Sequence, residues 1–261
     1  MFRKFSPLLL ITGQIIVTAH AQKLPQQNNL YTAGHANAFI GGLFDAFYPY
    51  RQLMQYGDFG LGAPDQLDGE LLILDGKIYQ TQASGKTFEI KDGSTPFAVV
   101  NFFRPEQKFT LKTTKTKEQL FAFLDSILTN KNIIYAIRIK GNFEQLKTRA
   151  FPKSTKKPYA PLATMLPLQQ FFNFSNVKGD LVGYRIPHHM DGANITGYHF
   201  HFLSADKKAG GHLIELLSGI VSIEIDELDT FTVVLPKSDE FKKFDFNKDR
   251  KEEMKKVENG N

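Results

Sequence analysis

The sequence predicts a mixed α/β fold of α+β character, built in two halves with far more strand than helix. Three observations carry that prediction. Short strand-like runs bracket turn signals, most clearly "ELLIL" (70–74) and "KIYQT" (77–81) around Asp75–Gly76, a hairpin signature. One stretch, "TKEQLFAFLDSILTN" (116–130), has helical periodicity, with Leu120, Phe121, Leu124 and Leu128 on one side. Residues 151–163, "FPKSTKKPYAPLA", are rich in Pro and Lys and read as a linker between halves.

The elements follow in chain order. Arg3 and Lys4 precede a broken apolar run, and "AHA" (19–21) has the small-x-small pattern of a signal-peptidase site. Residues 1–21 are therefore expected to be an export signal cleaved before Gln22, leaving a secreted or periplasmic protein with no membrane segment. Residues 22–34 are a polar lead-in. "ANAFIGGLFDAFYPYRQLMQYG" (36–57) predicts one or two short helices broken at Gly41–Gly42. "FAVVNFF" (97–103) is a buried strand and "IIYAIRIKGNF" (133–143) another. These runs make residues 22–155 an N-terminal domain with a mixed sheet. "TMLPLQQFF" (164–172) is a short helix or turn. Strands follow at "GDLVGYRIP" (179–187), "GYHFHFLS" (197–204), "GHLIELLSGIVSIEIDEL" (211–228) and "FTVVLP" (231–236). Residues 156–261 are thus expected to form a β-rich, open-barrel-like C-terminal domain with a partly helical charged tail.

Composition narrows function. The chain has no cysteine, so disulfides and thiolate metal sites are excluded. The formal charge is +5, and removing residues 1–21 takes away two basic residues and no acidic ones, leaving +3. The basic residues lie in mixed-sign stretches such as "KSDEFKKFDFNKDRKEEMKKVENG" (237–260), unlike a nucleic-acid-binding patch.

Three of seven histidines fall in "GYHFHFLSADKKAGGH" (197–212). On a strand, Tyr198, Phe200 and Phe202 share one face, and His199 and His201 share the other. "SADKKAGG" is then a hairpin loop, with Gly210–Gly211 supplying positive φ, and His212 returns on the neighbouring strand. Three imidazoles on one face would hold zinc, iron or manganese with open positions, the pattern of a catalytic site. A cupin-like iron or manganese oxygenase or isomerase is the rival reading. Asp206 follows the H-x-H pair at a roughly suitable distance, but the third histidine comes early for that motif. A protein that only stores or senses metal is a third reading. His188 and His189, after Pro187, read as solvated loop residues. Taken alone, Glu70 and Arg149 read as surface groups, and Arg138 fits an exposed strand face.

Several separated stretches, in order, resemble the α-acetolactate decarboxylases: "YGDFGLGAPDQLDGELLILDGKIYQ" (56–80), "TPFAVVNFF" (95–103), "GNFEQLKTRAFP" (141–152) and "GYHFHFLSADKKAGGHLIE" (197–215). The resemblance runs from about residue 35 to the C-terminus. It implies zinc ligands at His199, His201 and His212, and active-site roles for Glu70, Arg149 and a C-terminal glutamate, best matched by Glu258 over Glu252 and Glu253. Ala63 stands where family members often have threonine, and "PHHMDG" (187–192) also departs from the family pattern. The resemblance further implies a two-domain architecture, a homodimer, and conversion of (S)-2-acetolactate to (R)-acetoin and CO2. In that reaction Zn2+ would act as a Lewis acid stabilising the enediolate, Arg149 would bind the substrate carboxylate, and the glutamates would move protons.

Overall fold

The computed structural model describes Met1 and residues 28–260, so the expected export signal at 1–21 lies outside the described residues. The first part of the chain runs β1 (Asn29–Ala33), α1 (Ala36–Ile40), β2 (Tyr48–Pro49), α2 (Tyr50–Leu53), β3 (Phe59–Ala63), β4 (Glu70–Leu74), β5 (Lys77–Thr81), β6 (Thr87–Ile90), β7 (Ser94–Thr95) and β8 (Phe97–Asn101). Next come β9 (Gln107–Leu111), β10 (Lys115–Thr116), α3 (Lys117–Ile127), β11 (Ile134–Ala150), β12 (Gln170–Ile186), β13 (Gly197–Ser204) and β14 (Gly210–Leu228). The chain closes with β15 (Thr230–Val234), α4 (Asp239–Lys242) and α5 (Lys251–Asn259).

One sheet has the order β15-β1-β8-β3-β4-β5-β6. It is mixed: β15 runs parallel to β1, and the other neighbours are antiparallel. The β4–β5 hairpin turns on Asp75 and Gly76, both at positive φ (52° and 75°), the backbone that a two-residue primed turn requires. The second sheet has the path β10-β14-β11-β12-β13, with β9 alongside β14. A further pairing of β13 with the first residues of β14 completes a circuit of β14, β11, β12 and β13 that gives this part a barrel-like form.

Apolar patterning explains how the layers assemble. Leu120 and Leu124 of α3 pack with Ile137, Ile139, Phe200 and Phe202 in one core. A Thr116–Gln119 capping box starts α3, as sequence spacing allows. A separate core joins the sheets and packs Leu72 and Leu74 of β4 with Val182 and Tyr184 of β12. Three readings change. Residues 29–33, expected within a polar lead-in, form the fully buried strand β1 between β15 and β8. Strand β12 begins at Gln170, so "QFF" (170–172) is strand rather than helix or turn. The Pro- and Lys-rich segment 151–163 leads from β11 toward β12, two hydrogen-bonded neighbours of one sheet.

Candidate active site

The site is assembled by strand register. His201 of β13 stands opposite His212 of β14, and His212 stands opposite Arg149 of β11. Antiparallel partners directly opposite share a face, so these three side chains form one row across three strands. His199 joins the same face by the two-residue period. Phe200, between the histidines, turns into the α3 core, opposite Gly183. Gly183 has no room for a Cβ, which would meet the Phe200 ring and the His199 carbonyl.

The loop between β13 and β14 uses positive φ at Lys207 (62°) and Gly211 (122°). A Cβ at Gly211 would lie 2.7 Å from the Arg149 carbonyl, so glycine there lets His212 and Arg149 sit on touching strands. Of the glycine pair expected to allow positive φ, Gly211 takes it and Gly210 does not.

The first sheet contributes Glu70. It shares a face of β4 with Leu72 and Leu74 and is buried with them. Gln66, Leu67 and Gly69, at positive φ of 56°, 56° and 99°, shape the turn that precedes it. Asp68 anchors that turn by accepting from Gln80 (3.1 Å) and Gln82 (3.0 Å). Glu258 comes from α5, whose buried Met254 and Val257 pack into the core joining the sheets.

The nitrogen geometry fits a metal. The Nε2 atoms of His199 and His201 are 3.2 Å apart, and His212 Nδ1 lies 3.2 Å from His199 Nε2. Two nitrogens at about 2.0–2.1 Å from a tetrahedral ion are about 3.3 Å apart. One nitrogen from each ring falls in a group within 4.8 Å of one another. His201 Nδ1 lies 2.7 Å from the Leu71 carbonyl, which holds the proton there and leaves the Nε2 lone pair facing the centre. His212 Nε2 lies 3.3 Å from the Glu258 carbonyl, which likewise frees Nδ1. Burial depresses all three imidazoles, His201 to about 3 and the other two well below their ordinary value. They are therefore neutral at pH 7, the form that binds metal.

The charged groups surround this centre. Glu70 Oε2 is 3.5 Å from His201 Nε2, and Glu258 Oε2 is 3.8 Å from His199 Nε2. Arg149 Nη1 is 3.9 Å from Glu70 Oε1, and its Nη2 donates to the Val257 carbonyl at 2.9 Å. Its guanidinium lies 4.6 Å from the centre of the Phe151 ring. Arg149 Nε and Nη1 are buried with no hydrogen-bond partner. Burial raises Glu70 to about 8 and Glu258 to about 7, with Arg149 opposing both shifts. The cavity holding these groups has about 370 Å³ of space, its open mouth included, and Phe39, Ala63, Phe97, Phe151, Leu162 and Ile195 contribute to its walls.

The six residues that the family resemblance implies, Glu70, Arg149, His199, His201, His212 and Glu258, thus line one cavity. Asp206 does not: it is exposed in the β13–β14 loop and accepts from Ser204 at 2.6 Å, so the carboxylate of the cupin-like reading is absent from the centre. His188 and His189 stand outside the cluster, in a short 3₁₀ turn. Arg138 is less exposed than expected, because it pairs with Asp180 at 2.9 Å on the neighbouring strand. The apolar walls and the Leu71, Val257 and Glu258 carbonyls were not foreseen. Carbonyl contacts have no side-chain signature, and the six wall residues come from six separate stretches of the chain.

The sequence profile described as "Alpha-acetolactate decarboxylase" matches residues 30–248, a span that ends before Glu258. Among curated relatives, the Alpha-acetolactate decarboxylase of Methanosarcina mazei is 36% identical over 230 residues, covering 88% of this chain and 80% of its own. That of Bacillus subtilis (strain 168) is 30% identical over 247 residues, covering 94% and 96%. The crystal structure of the alpha-acetolactate decarboxylase from Bacillus subtilis strain 168 superimposes with a TM-score of 0.86 at 28% identity, covering 89% of this chain and all of that one.

Proposed function

The chain belongs to the α-acetolactate decarboxylase family, and from that premise we propose that it converts (S)-2-acetolactate to (R)-acetoin and CO2 with Zn2+ held by His199, His201 and His212. Family membership makes it a carboxy-lyase for acetolactate. The observation that carries the finer reading is the meeting of three neutral imidazoles, one arginine with free donors and two glutamates in one buried cavity.

Acetolactate loses CO2 when the bond to its carboxylate breaks and the electron pair passes toward the adjacent ketone. The carbon left behind then takes one proton. When bound, the cation supplies Lewis-acid stabilisation of the negative charge that builds on the substrate oxygens. The remaining tasks fall to this chain's own residues. Arg149 presents Nε and Nη1 to the carboxylate, while its hydrogen bond to Val257 and the Phe151 ring fix the guanidinium plane. The surrounding apolar side chains keep water from the carboxylate. Glu70 stands beside His201 and Glu258 beside His199. Burial lets each hold a proton near neutrality, and the Arg149 charge opposes that hold. They therefore suit removal of the hydroxyl proton and delivery of a proton to carbon.

Chiral analysis of the products from racemic acetolactate tests this assignment. Preferential use of the S substrate and formation of R acetoin is expected, whereas racemic acetoin contradicts an ordered pocket. We also propose that residues 1–21 direct export and that the mature protein is a homodimer. The signal-like run supports export, and family resemblance supports the dimer. N-terminal sequencing of exported protein is expected to begin at Gln22, and sedimentation to give twice the chain mass. A retained residue 1 or a monomer contradicts the respective proposal.

A further inference from the structure

The last turn of α5 offers three carbonyls to the rest of the molecule. Val257 accepts from Arg149 Nη2 at 2.9 Å, Glu258 lies 3.3 Å from His212 Nε2, and Gly260 accepts from Gln169 Nε2 at 2.9 Å. The final carbonyls of a helix lack partners within it and carry its partial negative charge. Here two of the three face groups of the active site. The third is held by Gln169, which follows the 3₁₀ turn Leu162–Leu168. That contact is specific. Gln169 is part-buried, and its backbone N–H donates to the Leu166 carbonyl. Gly260 closes the helix at φ 74°, where an added Cβ would sit 2.9 Å from Ile214 Cδ1.

We propose that Gln169 is a positioning residue for the reaction. By holding the Gly260 carbonyl, it fixes the end of α5 so that the Glu258 carboxylate meets the active site. The inference rests on the reading of Glu258 as a working group of that site. Gln169 does not itself line the cavity, and it reaches the site through α5.

The test is a double-mutant cycle on the full, metal-loaded protein, read by kcat and KM for acetolactate, metal content and melting temperature. Gln169→Ala is expected to lower kcat about tenfold with metal content unchanged, and Gln169→Glu, similar in shape but lacking the donor, to do the same. In a Glu258→Gln background, Gln169→Ala should lower the residual kcat less than about twofold, because the group it positions is already gone. A purely structural role predicts the same fold loss in both backgrounds, and that result overturns the proposal. Wild-type kcat for both Gln169 variants beside a slow Glu258→Gln enzyme overturns the positioning role and leaves Glu258 in place. Wild-type kcat for Glu258→Gln overturns the reading of Glu258 and the route through it.

Discussion

Replacing Arg149 by methionine should separate catalysis from stability. Two donor groups of this buried guanidinium, Nε and Nη1, have no protein partner. A hydrogen bond between charged groups contributes about 1.5–3 kcal/mol, so two of them to the substrate carboxylate supply about 3–6 kcal/mol. At about 1.4 kcal/mol per factor of ten, Arg149→Met should lower kcat/KM about 10²- to 10⁴-fold. Stability should respond differently. The nearest carboxylate oxygen to Arg149 is 3.9 Å away, and burial works against its charge. Methionine removes that buried charge but leaves the Val257 carbonyl, which accepts from Arg149 Nη2 at 2.9 Å, without its donor, a loss of about 1–3 kcal/mol. The Arg149 charge lowers Glu70 and Glu258, so its removal raises both further. The melting temperature of Arg149→Met should thus fall by only about 3–9 °C, equivalent to about 1–3 kcal/mol, which leaves the protein folded under assay conditions. The assays are acetoin release under initial-rate conditions and calorimetry on the same preparation, with metal content measured. If kcat/KM stays within about threefold of the parent, or if activity falls only in step with unfolding, the substrate-binding role is refuted.

His201→Ala removes one nitrogen of the centre and the contact to Leu71, so bound metal should fall from about one per chain to near zero after dialysis; full retention contradicts the ligand set. Ala63 is buried on the cavity wall, and Thr95 Oγ1 donates to its carbonyl at 2.8 Å. Ala63→Val should narrow the site and raise KM several-fold without loss of metal, and an unchanged KM removes Ala63 from substrate contact. The metal-free protein should be most stable near neutrality. The imidazoles are depressed when folded, so the unfolded chain binds more protons below its own pKa of about 6.5 and stability falls as pH drops there. Glu70, raised to about 8, has the opposite sign: the folded chain binds more protons above about 4.5, and that stability is lost as pH rises toward 8. Thermal melts across pH 5 to 8.5 should show a maximum near 6.5–7, and a monotonic curve contradicts the burial of one set or the other.

The sequence made part of this site readable for a plain physical reason. His199 and His201 alternate with Phe200 and Phe202, and the two-residue strand period separates ligand face from core face. His212 was reachable because a short hairpin joins it to His201. Glu70 carried a signal that is easy to miss: it shares its face with Leu72 and Leu74, so a carboxylate there is buried. Arg149 and Glu258 gave no local sign. Arg149 gains its place from register with His212, and Glu258 from a charged helix anchored by Met254 and Val257, so for both the family resemblance supplied what periodicity did not. The first half of β12 was missed because Gln170, Asn173, Ser175 and Asn176 break apolar alternation and much of it is exposed. The composition of residues 151–163 records an exposed connection; it does not record which strands that connection joins.

The measurement closest to the central claim is acetoin formation from racemic acetolactate by metal-depleted protein, titrated with Zn2+ while bound zinc is counted. Activity rising linearly and reaching its plateau at one zinc per chain, with His199→Ala inactive at the same zinc level, is the predicted result. Full activity in protein freed of metal, or no activity in folded protein carrying one zinc per chain, contradicts it.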